Sequence, residues 1–246
     1  MTDIRIARSP DAAADADLPN VARAVAIIMD GSGRWAAARE LPTAEGHREG
    51  TRALRRTVEA AIDVGVESLA VYAFSTENWT RPPDEVESLM ELFVDTIERE
   101  LADLAREGVR TRFIGRRDRA PAELQERMVA LETATEANSR LHLWIAFDYG
   151  GRSELVEAAR RLVESGVDAD DVDEELFASH LYAPEMPDPD LLIRTSGELR
   201  VSNFLLWQLA YAELVFVERH WPDFGGEDLR AALDEYASRR RRFGGR

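Results

Sequence analysis

The chain has 246 residues and carries 47 acidic against 31 basic side chains, which gives a formal net charge of −16 at pH 7. It contains no cysteine, and this excludes disulfides, thiolate metal sites and cysteine nucleophiles. Its four histidines lack the spacing of zinc ligands. The strong negative charge repels phosphate backbones, so we expect no nucleic acid partner.

All the basic side chains are arginines, since the sequence contains no lysine. An acidic, lysine-poor composition is typical of proteins from salt-accumulating halophiles and predicts a halophilic source, which we expect to be an archaeon. A genome of high GC content also replaces lysine by arginine, so base-composition bias stays open as the alternative. In either case, a phosphate site in so acidic a protein requires arginines concentrated at one place.

Residues 1–20 are rich in Asp and Ala and poor in bulky apolar side chains, which predicts a disordered acidic lead-in. No Pro- or Ser-rich linker divides residues 21–246, so we predict a single domain there. The N-terminus lacks the basic start and apolar centre of a signal peptide, and no apolar run approaches the ~20 residues of a membrane span. We therefore expect a cytoplasmic protein.

Strand and helix patterns alternate along the chain. The β-branched run 24–29 predicts a buried strand, and apolar residues at helical spacing predict a helix over 45–63. A second strand over 68–74 precedes a long helix that opens at Pro82-Pro83 and carries a broad apolar stripe. Further strands are predicted at 109–114, 141–147, 191–193 and 214–217, and further helices at 121–137, 152–164, 174–181, 203–211 and 228–242. The pattern predicts an α/β fold with a six-stranded, mostly parallel sheet flanked by helices.

Polar loops are predicted after three of the strands, at residues 30–35, 75–81 and 194–202. The carboxyl ends of parallel strands meet at one edge of the sheet, where ligands bind in open α/β folds. The segments supply arginines, hydroxyls and acids, namely Arg34, Arg81, Arg194, Arg200, Ser75, Thr76, Ser202, Asp30 and Glu77. Because arginine forks match phosphate oxygens, we interpret this set as a site for more than one phosphate group.

Asp30 is an acid beside this anion site. The following Gly31-Ser32-Gly33 lets the backbone approach a ligand closely, and Arg34 offers a planar fork. Mg²⁺ is usually held by one or two carboxylates together with substrate phosphate oxygens. We therefore predict that Asp30 holds Mg²⁺ against a phosphate. A solvated Asp-Gly turn is the alternative that this short segment alone leaves open.

Five segments resemble the signature sequences of the cis-prenyltransferases, the undecaprenyl diphosphate synthase family. They are IIMDGSGRW, YAFSTENWTRP, DYGGR, DLLIRTSGELRVSNFLLWQLAYAEL and WPDF, and they stand in the family's order. The resemblance, which runs from about Val21 to the C-terminus, implies a homodimer with a hydrophobic tunnel. It also implies condensation of isopentenyl diphosphate onto an allylic diphosphate, either geranylgeranyl or farnesyl diphosphate.

The implied product is a long-chain polyprenyl diphosphate, a lipid carrier precursor for glycan assembly, which would bring the enzyme into peripheral contact with the inner face of the membrane. Geranylgeranyl diphosphate is the primer expected if the source is an archaeon. The C-terminal Arg242-Phe243-Gly244 is similar to a short family motif that reaches across the dimer toward isopentenyl diphosphate.

The resemblance also implies roles for single residues. Asp30 would be the essential acid and a Mg²⁺ ligand, with Glu213 as the second metal-associated acid. Asn78 matches a position assigned as proton acceptor, but a neutral amide is a poor base, so we expect Asn78 to orient substrate while a diphosphate oxygen takes the proton. The substrate-binding positions would be Gly31, Ser32, Gly33 and Arg34 for the allylic diphosphate, Arg194, Arg200, Val201 and Ser202 for isopentenyl diphosphate, and Trp35, Thr43, His47, Ser75, Thr76, Glu77, Trp79 and Arg81 around them.

Two other functions stay open. A non-catalytic or regulatory subunit of a heteromeric cis-prenyltransferase would keep the fold and lose the acid and the arginines, which this chain retains. A Rossmann-type nucleotide-binding protein would need Gly-x-Gly-x-x-Gly after the first strand, and the third glycine is replaced by Ala36. Ser32, Thr43 and Leu199 depart from the family's usual residues, which leaves the preferred primer open.

Overall fold

The computed structural model describes residues 21–239. Six strands form one sheet in the order β3-β4-β2-β1-β5-β6, and every neighbouring pair is parallel. This confirms the predicted α/β fold, with a sheet that is parallel throughout. The expected lead-in at 1–20 and the motif Arg242-Phe243-Gly244 lie outside the described residues. The strands are β1 Ala24–Ile28, β2 Ser68–Ser75, β3 Val109–Ile114, β4 Leu141–Tyr149, β5 Leu191–Arg194 and β6 Glu213–Phe216.

The helices begin and end within a few residues of their predicted limits, except as noted below. They are α1 Ser32–Ala37, α2 Thr43–Asp63, α3 Pro83–Glu107, α4 Ala122–Ala134, α5 Gly151–Glu164, α6 Glu174–Ala178 and α7 Gly226–Ser238. Short 3₁₀ helices cover Thr76–Thr80, Ala169–Asp171 and Trp221–Asp223. Within residues 21–239, the structure has no helix long and apolar enough to cross a bilayer.

Both faces of the sheet are buried at its centre, which explains why β1 is apolar at every position. In β1, Val25 and Ile27 join a core built with helices α2, α3, α4 and α7. Ala26 and Ile28 face the other way, into a second core that includes Phe204. The strand therefore has no solvent face, and its polar contributions begin where it ends, at Asp30.

Two predictions of local structure were wrong. The segment after β1 is not a loop, because Gly31 at a φ of 106° starts the short helix α1. The segment 203–211 is not a helix but a series of turns. Asn203 and Leu205 have φ values of 63° and 44°, in the left-handed region that a right-handed helix cannot include.

Helix α2 lies unusually close to α1 at Gly46. A Cβ atom added at Gly46 would lie 2.1 Å from the carbonyl oxygen of Ser32 and 3.2 Å from the Cβ of Ala36. The absence of a side chain therefore lets the two helices touch, and this contact supports the segment that follows Asp30.

We expect Gly46→Ala to lower the free energy of unfolding by about 1–3 kcal/mol, because the added methyl overpacks the helix contact. The matched control is Gly33→Ala in α1, where the nearest atom to an added Cβ is 3.9 Å away. Urea denaturation of both variants tests this. Equal stability of Gly46→Ala and the wild type would contradict the close approach of the helices.

Candidate active site

A cavity of about 890 Å³ lies at the carboxyl edge of β1, β2 and β5. Its polar wall comes from the three segments that follow these strands, together with the start of α2. The structure thus brings most of the predicted site residues together: Asp30, Gly31, Ser32, Gly33, Arg34, Thr43, His47, Ser75, Glu77, Asn78, Arg81, Arg194, Arg200 and Ser202.

The remaining wall of this cavity is mainly apolar. Part of the predicted stripe on α3 forms it, so these side chains line a space as well as packing in the core. The apolar lining includes Leu54, Phe74, Leu89, Leu92, Phe93, Ile97, Phe113 and Ile145. A charged mouth and a hydrocarbon interior therefore belong to one continuous cavity.

Asp30 lies between two arginines in the polar half. The Nη2 of Arg34 is 3.1 Å from its Oδ1, and the Nη2 of Arg194 donates to its Oδ2 at 2.9 Å. Thr195 fixes the Asp30 backbone, because its Oγ1 accepts the Asp30 N–H and donates to the Asp30 carbonyl. Burial raises the pKa of Asp30, but the two arginines outweigh it and hold the pKa below the ordinary value. The carboxylate is thus ionised at neutral pH.

Arg194 is the most buried of the site arginines, with 3% of its side chain exposed. Its Nη1 donates to the Ser202 Oγ at 2.6 Å and to the carbonyl of Arg200. Its Nε is buried without an acceptor among the described residues. Glu198 contacts both Arg34 and Arg200, which draws these two guanidinium groups to the same side of the cavity.

The segment after β2 forms the facing wall. The Oδ1 of Asn78 accepts the backbone N–H of Ser75 at 3.0 Å and so closes the start of the 3₁₀ helix. With one lone pair of this oxygen engaged, Asn78 can offer a ligand its NH₂ as a donor and the second lone pair of Oδ1 as an acceptor. Glu77 accepts from the Nδ2 of Asn203 at 2.9 Å.

His47 lies next to an ion pair in the cavity. Arg81 donates to the Oε1 of Glu85 at 2.8 Å, and the Nε2 of His47 is 3.7 Å from the same oxygen. Burial and the charge of Arg81 lower the pKa of His47 despite the nearby Glu85, so the imidazole is neutral at pH 7. Sequence reasoning missed Glu85, although its place in the first turn of the predicted helix, close after Arg81, was a usable signal.

Four predicted binding residues do not line the cavity: Trp35, Thr76, Trp79 and Val201. Trp35 faces away from it, since its Nε1 donates to Asp223 at 2.7 Å. Trp79 packs edge-on against Phe74, with ring centroids 5.1 Å apart. Trp79 therefore supports an aromatic residue of the wall and does not itself form the wall.

Glu213 lies away from Asp30 within one chain. It begins β6, where it is opposite Leu191, the first residue of β5. Asp30 follows the other end of β1, beyond Ile28, whose partner is Arg194 at the end of β5. Glu213 pairs with Arg239 at 2.8 Å. No group of three or more potential metal-binding side chains occurs in residues 21–239.

The chain as a whole is similar to known proteins. The family model described as undecaprenyl diphosphate synthase matches residues 28–244. The chain is 51% identical over 228 residues to ditrans,polycis-undecaprenyl-diphosphate synthase, (2E,6E)-farnesyl-diphosphate specific, of Xanthomonas axonopodis pv. citri, covering 91% of this chain and 89% of the relative. It is 48% identical to isoprenyl transferase of Thermotoga maritima, covering 90% and 96% of the two chains.

A solved structure has the same fold. Lavandulyl diphosphate synthase from Lavandula x intermedia, crystallised with dimethylallyl diphosphate, superimposes with a TM-score of 0.89 at 37% identity, covering 92% of this chain and 99% of that one. The match to the family covers all three segments of the cavity's polar wall. The chain therefore belongs to the undecaprenyl diphosphate synthase family of cis-prenyltransferases.

Proposed function

We propose that this cavity is the site where isopentenyl diphosphate is condensed onto an allylic diphosphate to make a long-chain polyprenyl diphosphate. The observation that carries the proposal is the ionised Asp30, held between Arg34 and Arg194 where the polar mouth meets the apolar interior. A diphosphate needs cations at its head and a dry space for its hydrocarbon chain. This cavity supplies both.

The arginines divide into two diphosphate sites. Gly31, Ser32, Gly33 and Arg34 would bind the allylic diphosphate, because they follow β1 directly and line the cavity. Arg194, with Arg200 and Ser202, would bind isopentenyl diphosphate. The buried Nε of Arg194, which lacks an acceptor, supports this assignment, since an unsatisfied buried donor costs free energy that an anionic oxygen relieves.

Mg²⁺ fits the donor chemistry at Asp30. Each carboxylate oxygen has two lone pairs, so Asp30 keeps acceptor capacity beyond its contacts with Arg34 and Arg194. One carboxylate with phosphate oxygens is an ordinary magnesium environment, which agrees with the lack of an all-protein metal cluster in the described part of the chain. The ion would neutralise charge on the departing diphosphate.

The reaction needs three events at the cavity mouth. The allylic C–O bond breaks, and Arg34 stabilises the negative charge that develops on the leaving diphosphate. The double bond of isopentenyl diphosphate then forms the new C–C bond, and a proton is lost from the resulting cation. We assign the proton to a diphosphate oxygen, because the neutral amide of Asn78 is a poor base and its NH₂ can only donate.

The growing chain would enter the apolar interior. Leu89, Phe93 and Ile97 on α3 offer a hydrocarbon wall, and they keep water from the cationic centre. This is the hydrophobic tunnel that the resemblance implies. A long polyprenyl product partitions into a bilayer, so we propose that the enzyme works in the cytoplasm with peripheral membrane contact.

We further propose that the enzyme is a homodimer, as the resemblance implies. Strand β6 is at the edge of the sheet, and the nearby Tyr211 has 78% of its surface exposed. Because Glu213 and Asp30 lie at opposite ends of their strands, Glu213 can assist the metal site only from a second chain. A monomer by sedimentation equilibrium would overturn this assignment.

We expect Asp30→Asn to lower kcat by an amount equivalent to on the order of several kcal/mol, because it removes metal-assisted ionisation. Asparagine is preferable to alanine, since alanine would leave the buried Arg194 without its acceptor. Radiolabelled isopentenyl diphosphate incorporation gives kcat. The control is Asp223→Asn, which removes the charge that pairs with Arg39 outside the cavity and should stay active. Near-normal turnover of Asp30→Asn in saturating Mg²⁺ would contradict the proposal.

The primer can be decided by side-by-side kinetics. The names of the Xanthomonas relatives favour farnesyl diphosphate, which we propose as the primer. The expectation of geranylgeranyl diphosphate rests on an archaeal source. Comparing kcat/KM for the two primers tests both, and a clear preference for geranylgeranyl diphosphate would reject our choice.

We expect activity and thermal stability to rise with salt. At a net charge of −16 the acidic side chains repel one another until counterions screen them. The measurement is Tm and kcat in KCl from about 0.1 M, where the screening length is ~10 Å, to about 1 M, where it is ~3 Å. A neutral osmolyte at equal osmolality is the control. Full activity and stability in dilute buffer would instead support base-composition bias.

A further inference from the structure

The segment after β5 crosses the carboxyl edge of the sheet and reaches the ends of two other strands. In the sheet order, β1 separates β5 from β2, and β4 lies beyond β2. The crossing point is Ser202-Asn203, where both residues have positive φ values, 46° and 63°. Such a conformation is costly for residues other than glycine, although asparagine tolerates it better than most. A strained crossing of this kind requires contacts that hold it.

The side chain of Asn203 supplies these contacts in two directions. Its Nδ2 donates to the Oε1 of Glu77, in the segment after β2, at 2.9 Å. Its Oδ1 accepts the backbone N–H of Arg152, in the segment after β4, at 2.8 Å. Its own carbonyl accepts the N–H of Gly151 at 2.7 Å. One residue therefore joins the segments that follow β5, β2 and β4.

Two glycines make room for this junction. A Cβ atom at Gly150 would lie 2.7 Å from the Thr76 Oγ1 and 2.8 Å from the Asn203 Nδ2. A Cβ atom at Gly151 would lie 2.7 Å from the Cγ of Leu206. The proposed chemistry gives no role to the segment DYGGR. Its two glycines allow Asn203 to pack closely against it.

The junction ties together the two walls of the cavity. Ser202, next to Asn203, accepts from Arg194 at 2.6 Å on the isopentenyl diphosphate side. Glu77 is next to Asn78 on the facing wall. A shift of Asn203 would therefore change the separation of the two walls. Asn203 itself is not one of the residues that we assign to either diphosphate.

We propose that Asn203 is a positioning residue for the condensation: its amide fixes the Arg194–Ser202 wall relative to the Glu77–Asn78 wall and so sets the approach of one substrate to the other. This inference rests on the proposed placement of both substrates in the cavity. Misplacement of reactants by about 1 Å can cost on the order of 100-fold in rate, which gives the size of the effect at stake.

The test is a reciprocal exchange of the amide and the carboxylate. Asn203→Asp keeps the acceptor for Arg152 but places a second carboxylate against Glu77. Adding Glu77→Gln restores a donor and acceptor pair across the same gap, with the original net charge. We expect Asn203→Asp alone to lower kcat by about 100-fold, and the double variant to recover at least about tenfold of that loss.

The matched control is Asn138→Asp. Asn138 donates its amide to two backbone carbonyls, those of Ala105 and Val109, and it lies before β4, away from the cavity. This variant should lower Tm and leave kcat unchanged, as a purely structural amide would.

The kinetics separate the possible results. A slow Asn203→Asp variant that Glu77→Gln partly rescues supports the junction. A slow variant without rescue, or a variant with wild-type kcat and only a lowered Tm, overturns it. An inactive wild-type protein would instead overturn the proposed function itself, so the two failures are distinguishable.

Discussion

The ion pair between Asp30 and Arg194 is the interaction on which the site depends. It joins the ends of β1 and β5, two neighbouring strands, and it holds a guanidinium group that is almost wholly buried. The buried charge of Arg194 depends on this partner, because removing one member of a buried pair leaves the other uncompensated. The pair therefore keeps Asp30 ionised and Arg194 fixed. We propose that it preorganises the arginines of the cavity for diphosphate in a protein that is otherwise strongly acidic.

The surrounding structure serves this charged centre. Thr195, the residue after β5, fixes the backbone of Asp30, while the contact of Gly46 with Ser32 supports the next turn of chain. Helix α3 turns part of its apolar stripe toward the cavity, so that reactive charge and hydrocarbon share one space. In the proposed reaction, this apolar wall would keep water from the cationic centre.

The sequence was sufficient to predict the strands and the convergence of their following segments, because these depend on local periodicity and on the geometry of parallel sheets. It was insufficient for Trp35 and Trp79, since the direction of a side chain depends on tertiary contacts, here with Asp223 and Phe74. The turns at 203–211 were predicted as helix because the apolar spacing is helical there, while partners distant in sequence impose positive φ values. Glu213 could not be placed because its separation from Asp30 depends on strand register.

A crystal structure with Mg²⁺, isopentenyl diphosphate and an unreactive thio analogue of farnesyl diphosphate tests the central claim most directly. The account predicts the allylic diphosphate against Gly31 to Arg34, with the metal on Asp30, and the other diphosphate against Arg194, Arg200 and Ser202. The farnesyl chain should lie along Leu89, Phe93 and Ile97. Diphosphates bound elsewhere, or a farnesyl chain outside this cavity, would contradict the account.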